Sequence, residues 1–194
     1  RLVGSEMCIR DRTAANTLKA AGYKCEIISV GSTPTFTAVK DTEGVTEYRS
    51  GVGVFQDLVM AGLNVCKVKD IAISVLVTVI GHQPKKGWII TDGGWMAMSR
   101  DRGTAAQAVD WGYGLVCDEI GKPIENFWMK SANQEHGIVC SRDGSPIRPE
   151  DFPIGTRLRI LPNHACPTAA AFDKYFVVDE NNNVQTIWPK INNW

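Results

Sequence analysis

The sequence predicts the last units of a β/α barrel followed by a small antiparallel, barrel-like β domain. Three observations predict it. Between residues 13 and 63 a helix pattern is followed by two short apolar strands, each ending in a loop of small residues. Beyond residue 63 short strand patterns follow one another among Gly, Pro and Asp turns without long helices between them. Strands joined through helices belong to β/α units, whereas strands in series belong to antiparallel sheets or barrels.

Residues 13–23 read as the C-terminal half of a helix, with Gly22 as its stop. Residues 25–30 form an apolar strand ending in Gly31-Ser32-Thr33-Pro34-Thr35, and residues 45–49 a second one ending in Ser50-Gly51-Val52-Gly53. Residues 55–63 supply a helical turn or two. The apolar run 71–80 is too short for a membrane span and reads as a buried strand. Residues 87–91, 115–117, 138–140 and 157–161 are further short strands. Residues 175–178 and 184–187 flank Asp179-Glu180-Asn181-Asn182-Asn183, a turn sequence that predicts a hairpin. The boundary between the two parts is expected near residues 68 and 69, giving segments 13–68 and 69–194.

Composition narrows the function. The 21 basic and 21 acidic residues cancel, so no charge excess draws this chain to nucleic acid or to an anionic membrane surface. The six cysteines are scattered without a Cys-x-x-Cys pair, which points to a reducing, cytoplasmic setting. Residues 1–12 look foreign, in the manner of a translated adaptor, and lack the apolar core of a secretory signal. Their removal takes away three arginines, one glutamate and one aspartate and leaves the charge balance near neutral.

Two groups of residues carry chemistry. The first is the pair of small-residue loops. The loops at residues 31–35 and 51–53 offer hydroxyls or glycine backbone N–H groups at the carboxyl ends of successive strands, where barrels often hold phosphate. Ordinary turn chemistry would use the same residue types. The second is His164-Ala165-Cys166. In extended backbone these two side chains share one side, and imidazole and thiolate together suit Zn²⁺ or another divalent metal. Two protein ligands leave coordination positions open, which suits catalysis better than a structural site.

Five segments occur in order that together resemble a known family. They are Val30-Gly31-Ser32-Thr33-Pro34-Thr35, Gly53-Val54-Phe55-Gln56-Asp57, Asp92-Gly93-Gly94-Trp95 through Ser99-Arg100-Asp101-Arg102-Gly103, Gln134-Glu135-His136-Gly137, and Leu161-Pro162-Asn163-His164-Ala165-Cys166-Pro167-Thr168. The set resembles the D-serine dehydratase and D-threonine aldolase family of alanine-racemase-like pyridoxal-phosphate enzymes, over about residues 13 to 190. The resemblance implies a pyridoxal 5'-phosphate site at Ser32, Thr33, Gly51 and Val52, with Gly53 where many relatives carry an aromatic residue. It implies metal ligation by His164 and Cys166. A cysteine at the second position, where aldolases often carry a carboxylate, favours the dehydratases.

The implied activity is conversion of a small D-amino acid, such as D-serine, to a keto acid and ammonia, by a homodimer when full length. Retro-aldol cleavage to glycine and an aldehyde is the alternative. A non-catalytic β module with structural zinc is a further one, and it needs two more protein ligands. The family's Schiff-base lysine lies near the start of its barrel. No lysine here, Lys19, Lys40 and Lys69 included, matches its motif, so the 194-residue chain by itself is expected to be inactive. Asp92 and His136 are candidates to orient a metal ligand, beside a plain structural role. His82 reads as structural, and Trp95 and Trp111 as packing or interface residues.

Overall fold

The computed structural model describes residues 4–191. Residues 1–3, the start of the foreign-looking segment, and residues 192–194, the end of the expected β domain, lie outside the described residues. Helix α1 spans Gly4–Ala20, so residues 4–12 continue the same helix as residues 13–20. It ends where Gly22 takes φ +88°, a conformation that costs glycine little. Arg12 of this helix donates to the Asp41 carboxylate at 2.7 Å, and Cys8 is buried against Tyr48.

Two parallel strands follow, β1 at Ser29–Gly31 and β2 at Glu47–Arg49, with Val30 opposite Tyr48. Between them lies α2, Thr33–Ala38, and after β2 comes the 3₁₀ turn Gly51–Val54. Parallel pairing through a crossover helix is the pattern of a β/α unit. The strands are shorter than the apolar runs that announce them. A short helix, α3 at Leu58–Gly62, then leads away.

The larger part is a closed antiparallel barrel of six strands. In chain order they are β3 (Val75–Gln83), β4 (Trp88–Thr91), β5 (Leu115–Cys117), β6 (Pro123–Ala132), β7 (Gly137–Ser141) and β8 (Arg157–Leu161). Around the barrel the order is β3-β4-β7-β6-β5-β8, closed by β8 against β3. Closure leaves no unpaired edge. The run 71–80 turns out to be buried on one face only. Val75, Val77 and Val79 point inward, while Leu76 and Ile80 stay exposed, because successive side chains alternate across a strand. The inward residues pack with Ile89, Met98, Val116, Met129, Val139, Leu158 and Ile160.

Strand β6 is the longest of the six and has no counterpart in the strand patterns read from the sequence. Asn126 sits within it at φ +66°, and its register shifts against β7 between Met129 and Ser131. Such irregularities break the two-residue alternation by which a strand is recognised. Beyond the barrel, α4 (Ala165–Ala170) leads to the hairpin of β9 (Lys174–Val178) and β10 (Val184–Pro189). The Asp179 carboxylate accepts from the Asn181 and Asn183 amides and shapes its turn. Among the described residues no helix is long and apolar enough to cross a membrane.

The barrel core sets the stability of this chain. Met129→Ala, at a fully buried position, should cost about 2–5 kcal/mol, and Leu76→Ala on the open face under about 0.5 kcal/mol. Denaturant unfolding monitored by circular dichroism measures both, and equal costs would contradict the placement of the core.

Candidate active site

Of the His164-x-Cys166 pair, His164 lies in extended backbone and Cys166 does not. His164 is the N-cap of α4, with φ −136° and ψ 113°, and Cys166 lies in the first helical turn. Pro167 is the reason a helix can start here, since its fixed φ and missing N–H are harmless in a first turn. The same-side argument for a strand therefore does not apply, and the relative placement of the two side chains comes from a helix start instead.

Three buried groups fix that helix start. The Asp57 carboxylate caps α3 by accepting from the Met60 N–H at 2.9 Å, and its other oxygen accepts from the Ala165 N–H at 3.0 Å. The Leu58 N–H donates to the Pro162 carbonyl at 3.1 Å and the Val59 N–H to that of Asn163 at 3.2 Å. Asn163, 2% exposed, donates through Nδ2 to the carbonyls of Asp101 and Gly112 and accepts through Oδ1 from the Thr104 hydroxyl. The fully buried Thr168 hydroxyl contacts the carbonyls of Met98 and His164. Buried polar groups so satisfied hold one conformation, because each lost bond would strand a partner away from water.

His164 itself is held by Asp101, whose Oδ2 lies 2.6 Å from Nδ1. A proton on Nδ1 donated to this carboxylate leaves Nε2 with its lone pair free. The orienting residue is thus Asp101 and not Asp92 or His136. Asp92 instead accepts from the Thr78 N–H at 2.7 Å, a structural bond within the barrel. The nearest sequence signal for Asp101 is its place in the segment Ser99-Arg100-Asp101-Arg102-Gly103, 63 residues from its partner. His82 is structural as expected, with Nε2 2.7 Å from the Phe152 carbonyl oxygen. Trp111 packs against the cluster of Leu58, Leu115, Cys117 and Leu161, with the Arg142 guanidinium over its ring.

His164, Asp101, Arg102 and Asp57 line a cleft of about 300 Å³, together with Val52, Gly103 and the apolar Val59 and Met60. Val52 belongs to the second small-residue loop, so the structure brings that loop and the histidine to one cavity. Cys166 is exposed next to this wall. Burial, and then the negative charge of Asp57, pushes its thiol up from the usual range. Arg102 donates through Nη2 to Asp110 at 2.9 Å, and its guanidinium lies 5.2 Å from the Tyr113 ring centroid. Burial by itself would raise the Asp110 carboxyl, but the Gly112 N–H and Arg102 outweigh it and the net direction is down.

The two loops at the strand ends are stitched to each other. The Thr33 hydroxyl donates to the Ser50 carbonyl, and Ser32 caps α2 by accepting from the Thr35 N–H at 3.2 Å. Gly51 takes φ +61°, and a Cβ there would stand 3.0 Å from Thr33 Oγ1 and 3.3 Å from its nitrogen. Gly53 differs, because its N–H is engaged with the Ser50 carbonyl at 3.2 Å.

With this geometry in place, comparison with known proteins identifies the relatives. Residues 72–178 match the serine dehydratase domain. This chain belongs to that family. It is 55% identical over 183 residues to D-threo-3-hydroxyaspartate dehydratase of Delftia sp. (strain HT23), a match covering 93% of this chain and 48% of that protein. The solved structure of that enzyme has a TM-score of 0.89 at 51% identity, covering 98% of this chain and 51% of its own. Its solved forms include a cysteine-to-alanine variant in a metal-free form. D-serine dehydratase of Dictyostelium discoideum is 31% identical over 184 residues, or 91% of this chain and 45% of that protein. An alanine-racemase-like protein of Idiomarina loihiensis has a TM-score of 0.87 at 44% identity, covering 98% of this chain and 50% of its own. The chain spans about half the length of these relatives. The fold is alanine-racemase-like, and the family is one of lyases.

Asp57 makes a direct test. Asp57→Ala removes the acceptor for two buried N–H groups and should destabilise the protein by about 2–4 kcal/mol. Asp57→Asn, which keeps one acceptor oxygen, should cost less. Hydrogen exchange at the Ala165 amide should accelerate in Asp57→Ala beyond the global loss of stability. Unchanged protection there would refute the bridging role.

Proposed function

We propose that this chain is the C-terminal portion of a pyridoxal-phosphate- and metal-dependent D-hydroxyamino-acid dehydratase. The observation that carries the reading is the Asp101-oriented His164, two residues from Cys166, on a cleft shared with the Gly51–Val54 turn. The residues fit a divalent metal by their chemistry, since imidazole Nε2 and a thiolate are donors of the kind Zn²⁺ takes. Among the described residues no three His, Cys, Asp or Glu side chains gather to hold a metal. A closed structural zinc would need two further protein ligands beside His164 and Cys166.

The phosphate end fits as well. The amides of Thr33, Gly51 and Val52 stand in first turns, where N–H groups have no intrahelical acceptor, and the space beside Thr33 is one that a Cβ on Gly51 would crowd. These three amides, beside Ser32, form the proposed cradle. Gly53 adds no free N–H to the cradle, since its amide already donates to the Ser50 carbonyl.

Bound pyridoxal phosphate supplies an electron sink for charge that develops at the substrate Cα. A bound metal supplies a Lewis acid for a departing β-hydroxyl. This chain's residues prepare the ground for both. His164 on the cleft wall and Cys166 two residues on would hold the metal, Asp101 would keep the imidazole tautomer with Nε2 free, and Val59 and Met60 give the cleft an apolar wall. The family resemblance implies that the lysine carrying the cofactor lies outside these 194 residues. The substrate is a small D-3-hydroxy amino acid. The 55% identity with a hydroxyaspartate dehydratase puts hydroxyaspartate ahead of D-serine. The six unpaired cysteines agree with a cytoplasmic setting, and the whole enzyme is expected to be a homodimer.

Two measurements test this. Cobalt(II) added to the chain should give a thiolate charge-transfer band that is absent in Cys166→Ala and His164→Ala, while Asp101→Asn should weaken cobalt binding by about 10- to 100-fold. A band unaffected by Cys166→Ala would remove the metal site. The full-length enzyme should convert D-threo-3-hydroxyaspartate, and less efficiently D-serine, to keto acid and ammonia. Glycine and an aldehyde would move the assignment to the retro-aldol reaction, and no product from either would sink it.

A further inference from the structure

We infer that Arg102 is the specificity-determining residue of this cleft and selects substrates with a second carboxylate on Cβ. The inference rests on the dehydratase reading above. Among the residues lining the cleft, Arg102 carries the one permanent positive charge. The two acidic groups of the same wall are already engaged, Asp57 by the Met60 and Ala165 N–H groups and Asp101 by His164. The ion pair of Arg102 is with Asp110, which does not line the cleft.

Arg102 is held and yet unspent. Its Nη2 donates to Asp110, and the guanidinium lies over Tyr113, which fixes the plane of the group. A guanidinium has five N–H donors, and among the described residues Asp110 is its hydrogen-bond partner. The remaining donors form the planar fork that matches a carboxylate. Arg100 makes the contrast, since it lies over Trp95 and does not line the cleft.

Position in the chain strengthens the argument. Asp101 orients His164, where the β-hydroxyl would be bound, and Arg102 is the next residue. A hydroxyl and a carboxylate on the same carbon need two binding groups side by side. A substrate with a bare hydroxymethyl group would leave the free donors of the fork without an anion on the cleft side, with Asp110 as the guanidinium's one carboxylate partner among the described residues. Asp110 stays ionised under the influence of Gly112 and Arg102 and so keeps the fork in place.

The test uses two amino acids that lack the hydroxyl and cannot be dehydrated. D-Aspartate has the second carboxylate and D-alanine does not. Their dissociation constants are measured from the cofactor absorbance of the full-length, cofactor-loaded enzyme. The wild type should prefer D-aspartate by about 10- to 100-fold. Arg102→Gln should bring the ratio close to one, and Arg102→Lys, which keeps the charge without the fork, should leave it in between. A ratio near one in the wild type overturns the inference, as does a ratio that survives Arg102→Gln. Equal weakening of both ligands would assign Arg102 to the α-carboxylate, and loss of cofactor would assign it to the phosphate; either result overturns the inference. Should the preference hold while D-threo-3-hydroxyaspartate is not turned over, the proposed reaction fails and the role of Arg102 stands.

Discussion

The candidate site depends on one buried carboxylate. Asp57 accepts from the amides of Met60 and Ala165, so a single side chain caps α3 and steadies the start of α4. Both amides stand in first helical turns, where orphan N–H groups and the helix dipole favour a negative charge. The flanking bonds of Leu58 to Pro162 and Val59 to Asn163 extend the contact in the manner of a short ladder. Leu58, with no exposed surface, completes it by packing with Leu115, Cys117 and Leu161. Through this joint the segment after the parallel strands and the loop bearing His164 become two walls of one cleft.

Around that joint the buried polar groups form a hierarchy. Asn163 ties the loop to the backbone at Asp101 and Gly112, and Thr104 links Asn163 with the Trp111 amide. This arrangement brings Asp101 to His164 although the two are distant in sequence. The imidazole is therefore positioned by a carboxylate whose own backbone is anchored from the same loop. Disturbing Asn163 would shift histidine and carboxylate together, whereas disturbing Asp101 would free the imidazole alone.

Some of this was legible in the sequence and some was not. The two β/α-like strands, the antiparallel barrel and the final hairpin follow from local signals: apolar runs, Gly22 and the Asp179–Asn183 turn. Strand β6 was not legible, because Asn126 in left-handed conformation and the shift after Met129 erase its alternation. The residue types of His164 and Cys166 marked the site, but their backbone did not, since Pro167 favours a helix start that spacing alone does not reveal. Asp101, Asp57 and Asn163 lie in segments that stand out only as a group. Their roles are long-range hydrogen bonds, and one sequence holds no record of which distant amide a carboxylate will meet.

The distance between the proposed phosphate cradle and the histidine loop is set by very little chain. The Gly51–Val54 turn runs through Phe55 into Gln56, which adopts φ +56° with its N–H on the Val52 carbonyl at 2.7 Å, and the next residue is Asp57. A left-handed conformation in a residue other than glycine is uncommon and persists where surrounding contacts over-determine it. Here the contacts are the turn on one side and the buried carboxylate on the other. The reversal at Gln56 converts the end of a β/α unit into a strut that reaches the barrel loop within a few residues. Reacting groups must be placed to within about 1 Å for efficient catalysis, and a short strut pinned at both ends is a physical means of achieving it. A flexible linker of the same length would join the two halves of the chain equally well and leave the cleft without a fixed width.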